Sequence, residues 1–113
     1  MALHHAASGE VMGLRPLSDP AAQTAALMRT ASFETIHLVL RAGARMPGHA
    51  IAGSLSLYCI EGEALIELED GDRPLRAGEW LYLEPKARHG VRGLGDASLL
   101  LTILFDGPSA KPG

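Results

Sequence analysis

The stretch RMPGHAIAGSLSLYCIEG, residues 45–62, changes character halfway along. Pro47 and Gly48 form a reversal and His49 follows it. From Ser54 the residues alternate, with Leu55, Leu57 and Cys59 on one side of an extended chain and Ser54, Ser56 and Tyr58 on the other. Period-two parity extended back along the stretch adds His49 and Ile51 to the Leu55 side.

The same period recurs on both sides of this segment. FETIHLVL (33–40) puts Ile36, Leu38 and Leu40 on one face with His37 opposite, and EALIELE (63–69) sets Leu65 apart from Ile66 and Leu68. ASLLLTILFD (97–106) is apolar on both faces, as suits a strand covered from two sides. Turn chemistry falls between the strands at RAGARMPG, EGE, EDGD, RAGE and EPKARHG. Several short strands joined by such turns predict an all-β protein with a closed or double-layered antiparallel sheet.

Ahead of the strands, residues 1–18 mix Gly, Ala, His and Ser without period and read as a loose arm. His4 and His5 belong to it and are expected to be exposed. SDPAAQTAALM (18–28) offers Asp19 as an N-cap and Pro20 at the first helical position, which predicts a short helix of about two turns. The expected organisation is an arm with a short helix over 1–32, a barrel over 33–106 and a flexible tail over 107–113.

Composition bounds the function. The chain has 113 residues, 47% hydrophobic against 20% charged, which is a single globular domain rather than a disordered adaptor. Ten basic residues against thirteen acidic ones give a net charge of −3 with no basic stripe, so nucleic acid is not the expected partner. The apolar run SLLLTILF is far shorter than the roughly 20 residues a bilayer-spanning helix needs. With no secretory leader at its start, the chain is expected to be cytoplasmic and not membrane-bound. The single cysteine, Cys59, can form no intramolecular disulfide.

The spacing of glycines, prolines and histidines resembles the cupin family of small β-barrels over about residues 33–106. The first cupin motif is matched by Gly43, five residues, His49, Ala50, Ile51, three residues, Leu55, six residues and Gly62. The second is matched by Gly78, EWLYL, Glu84, Pro85, Lys86, two residues and His89, with Gly93 where the family has asparagine. This pattern is most similar to small single-barrel bacterial cupins of unassigned activity, and implies a single-domain jelly-roll β-barrel.

In the family, three imidazoles and a carboxylate hold a metal. Here Ile51 and Leu55 stand at two of those four positions, and hydrocarbon there cannot ligate and lowers the local dielectric. No metal and no cofactor is therefore expected. The remaining alternative is His49 and His89 completed by Cys59 or by a substrate oxygen, although a lone buried cysteine more often behaves as a small hydrophobe.

The resemblance points to a small-molecule-binding barrel whose largely apolar pocket is lined by His49, His89, Ile51, Leu55, Leu57 and Cys59. The alternative is a cupin enzyme, either metal-assisted through a reduced ligand set or a metal-free acid–base isomerase or epimerase. Tyr58 has outward parity, and Trp80 and Tyr82 share a face that suits core or subunit packing. The acidic residues between Glu61 and Asp72 read as a solvated rim. Because cupin barrels pair through their sheets and the last strand is apolar on both faces, a homodimer is expected.

Overall fold

The computed structural model describes residues 5–105, apart from the side chains at 47–49. His4 and the 107–113 tail lie outside the described residues. Among the described residues seven strands make the fold: β1 Ala25–Arg29, β2 Phe33–Leu40, β3 Arg45–His49, β4 Ser54–Leu68, β5 Gly71–Arg76, β6 Trp80–Leu83 and β7 His89–Leu104. All pairings are antiparallel, in the order β1-β2-β7-β4-β5, with β3 also on β7 and β6 also on β4.

Two long strands shape the molecule. The first halves of β4 and the last of β7 pair over Ser54↔Leu104 to Cys59↔Leu99, and their other halves over Ala64↔Gly93 to Leu68↔His89. Between these runs the register shifts twice, at Cys59/Glu61 and Gly62/Ala64. Such bulges bend a sheet. Gly62 permits the bend: its φ is 76°, and a Cβ there would overlap the Asp96 carbonyl oxygen.

The EGE segment is therefore a bulge inside one 15-residue strand, not the turn its glycine suggests. Likewise the final strand starts at His89, well before Ala97. Bending brings the inner faces of both halves onto one core, which joins Leu38, Leu57, Leu99 and Leu101 to Ile66 and Val91. Leu57, Cys59, Ile66 and Leu99 are wholly buried there.

No helix forms among the described residues, which corrects the expectation for 18–28. Asp19 does cap backbone, its Oδ1 accepting the Ala21 N–H at 2.8 Å, but it closes only a turn. The alanines that follow become β1, with Ala25 opposite His37 and Arg29 opposite Glu34. A two-turn helix is marginal alone, whereas the free edge of β2 supplies a ladder of hydrogen bonds. Upstream, the Arg41 guanidinium donates to the carbonyls of Leu17, Asp19 and Ala22, and Glu61 Oε2 accepts the Leu17 N–H, so the arm is strapped to the barrel.

Candidate functional site

Directly paired residues in an antiparallel sheet point to the same side, so the pairings define rows across the strands. Ile36, Leu101, Leu57 and Leu81 form one inner row, and Leu38, Leu99 and Cys59 another. The row nearest the start of β4 reads Glu34, Ile103, Leu55 and Leu83. A carboxylate thus stands among three aliphatic residues on the face that elsewhere builds the core.

That row lies at the barrel mouth. The free ends of both halves gather there, and the Lys86 N–H donates to the Ile51 carbonyl at 2.8 Å, tying the two mouth loops together. Lys86 takes a positive φ of 68° in making this turn. Beside the tie is a cavity of about 420 Å³ lined by Glu34, Ile51, Ala52, Gly53, Ile103 and Phe105. Ile51 sits in this loop rather than on a strand, so its position follows the loop and not the parity of β4.

Glu34, in the cavity wall, is paired with Arg29 outside it. Its Oε1 lies 3.4 Å from Arg29 Nη1, and the Arg29 guanidinium also rests 5.1 Å from the Phe105 ring centroid. The Glu34 side chain is 18% exposed and that of Arg29 61% exposed. An ion pair this long and this wet is worth about 0–1 kcal/mol, so it holds the carboxylate only weakly.

His89 is 2% exposed and faces inward at the start of β7. Its Nδ1 is 3.1 Å from the Ala87 carbonyl oxygen, which only accepts, so Nδ1 carries the proton. A separate recess of about 220 Å³ contains His89, Arg45, Glu67 and Arg88, where Arg45 and Glu67 pair at 2.9 Å. The His49 backbone is the register partner of His89, while its side chain lies outside the described residues.

The remaining expected site residues are placed as follows. Leu55 and Leu57 face the core at 3% and 0% exposure. Cys59, at 0%, lies four residues along β4 from Leu55, about 13 Å at 3.3 Å per residue, at the bend and away from the mouth. Its thiol donates to the carbonyls of Glu61 and Gly62 at 3.4 and 3.5 Å. Burial, reinforced by the Glu79 and Glu63 charges, pushes that thiol above its usual range.

These groups do not suit the metal that the cupin motif implies. Two family ligand positions hold Ile51 and Leu55, Cys59 is a protonated thiol at the wrong end, and among the described residues no three His, Cys, Asp or Glu gather as a metal set.

Away from the mouth, His37 settles on the outer face. It is 4% exposed, and its Nε2 lies 2.7 Å from the Oγ of Ser98, itself 1% exposed. Burial holds the His37 ring below its usual pKa, partly opposed by the Glu61 charge.

Two mouth residues escaped the sequence reading. Glu34 shares the parity of Ile36, Leu38 and Leu40, a signal that was present; Phe105 lies beyond the last strand and gave none.

No protein-family model and no functionally curated protein matches the sequence. Solved structures do. A conserved protein of unknown function from Streptococcus pyogenes superposes with a TM-score of 0.76 at 13% identity, over 95% of this chain and 99% of that one. A cupin superfamily protein from Desulfitobacterium hafniense gives 0.75 at 19% identity, over 94% and 100%. An RmlC-like cupin from Desulfovibrio desulfuricans gives 0.68 at 25% identity, over 89% and 97%. The seven strands thus have the fold of a small single-domain cupin barrel.

Proposed function

Starting from that barrel, we propose that the chain is a small-molecule-binding cupin whose ligand occupies the mouth cavity beside Ile51. The cavity carries the reading. Its volume is within the range of small-molecule sites, its walls include Ile51, Ile103 and Phe105, and Glu34 is the carboxylate among the described lining residues that would orient a ligand. The position where the cupin motif would place a ligating histidine supplies hydrocarbon contact instead. Leu55 stands in the same row as Glu34 and Ile103 and belongs to the core cluster, and the His89 backbone is the register partner of His49 on β3.

Filling the cavity tests this. Ile103→Trp is expected to abolish binding of small apolar probes measured by calorimetry while the protein stays folded by circular dichroism. Undiminished binding would remove the cavity from consideration.

The enzyme reading has one observation of its own. His89, whose Nδ1 meets the Ala87 carbonyl at 3.1 Å, lies in the same recess as the Arg45–Glu67 pair, and imidazole is the commonest general base. Elemental analysis of protein purified without an affinity tag separates the metal-assisted form of that reading from the metal-free one.

We also infer a homodimer. On the outer face the rows Ala25, His37, Leu100, Tyr58, Trp80 and Met28, Thr35, Thr102, Ser56, Tyr82 carry no carboxylate, lysine or arginine. Tyr58, Trp80 and Tyr82 are 41%, 63% and 53% exposed. Three neighbouring aromatics on an uncharged sheet face suit a second copy of the same surface.

A further inference from the structure

We infer that the mouth cavity selects a hydrophobic amine, a compact hydrocarbon body ending in a cationic nitrogen; this rests on the cavity reading above and names its ligand class. The argument starts from charge. Among the described residues lining the cavity, Glu34 alone is ionisable, and the rest are Ile51, Ala52, Gly53, Ile103 and Phe105. A carboxylate or phosphate entering there meets a negative group in a poor dielectric, with no cationic side chain among the described lining residues.

A neutral apolar ligand gains contact with Ile51, Ile103 and Phe105 but strips water from Glu34 and returns nothing to it. Glu34 has unused capacity. Its Oε1 makes the single 3.4 Å contact to Arg29, and Oε2 has no hydrogen-bond partner among the described residues. Arg29 stands outside the described lining, over the Phe105 ring, and its exposed 3.4 Å contact with Oε1 neutralises the carboxylate only weakly. An ammonium group would complete the carboxylate with a charge-assisted hydrogen bond while its hydrocarbon body covered Ile51 and Ile103.

The alternatives point elsewhere. The recess at His89 contains Arg45, Arg88 and Glu67, a mixed-charge lining that selects no single ligand class. His37 and Ser98 are too deeply buried to meet a ligand.

The test compares three probes of equal chain length on the full chain by titration calorimetry: hexylamine, hexanol and hexanoate. Hexylamine is expected to bind at least tenfold more tightly than hexanol, hexanoate least of all, and Glu34→Gln to bring hexylamine to the level of hexanol. Ile103→Trp serves as the cavity control and is expected to abolish all three. Equal binding of hexylamine and hexanoate to the native protein, both lost in Ile103→Trp, overturns the amine assignment and leaves the cavity standing. Binding unaffected by Ile103→Trp overturns the cavity itself. Absence of hexylamine binding at millimolar concentration overturns the amine proposal, and needs no variant to be folded.

Discussion

His37 and Ser98 meet on the outer face of the sheet through a 2.7 Å bond between Nε2 and Oγ, one residue from each of two paired strands. Both are almost sealed from solvent, so each depends on the other. Ser98→Ala strands the imidazole and is expected to cost about 1–3 kcal/mol in urea unfolding. An unchanged midpoint would show that water or the backbone replaces the hydroxyl.

The same pair sets a pH dependence. His37 titrates below its ordinary 6.5 because burial disfavours the charged ring. The unfolded chain therefore binds the proton more readily, and the contribution is fully present above pH 6.5 and lost as pH falls through the lower folded value. Stability measured from pH 8 downward is expected to fall below 6.5, and His37→Gln to flatten that decline. An identical slope in the variant would assign it to other groups.

Leu57 is wholly buried at the centre of the core. Leu57→Ala is expected to lower unfolding free energy by about 2–5 kcal/mol, whereas Leu104→Ala, at a half-exposed site, costs well under that. Comparing the two urea midpoints checks the assignment of inner and outer faces.

Cys59 combines complete burial with a raised thiol pKa. A disulfide reagent at pH 8 is expected to leave the native protein unmodified over minutes and to titrate one thiol in denaturant. Rapid native labelling would mean that the bend region opens.

Tyr58 and Trp80 face each other across β4 and β6. If this face joins two copies, the pair Tyr58→Glu and Trp80→Glu introduces like charges at the contact and converts a dimer to a monomer by light scattering. A native protein that is already monomeric at micromolar concentration contradicts the dimer.

Alternation along the chain was enough to separate Leu55, Leu57 and Cys59 from Ser54, Ser56 and Tyr58, because the side-chain period of a strand is a local property of its backbone. The same parity makes Glu34 a companion of Ile36. What the sequence could not express is where a strand bends and which residues become neighbours across it. EGE looks like a reversal on paper, and Asp19-Pro20 like a helix start. Whether such a signal becomes a turn, a bulge or an edge strand depends on the free hydrogen-bonding edge and the apolar surface offered by distant segments. Only that long-range packing carried Cys59 to the bend, left Ile51 on a mouth loop and set Glu34 beside it, since each of those placements is decided by contacts between residues far apart in the chain.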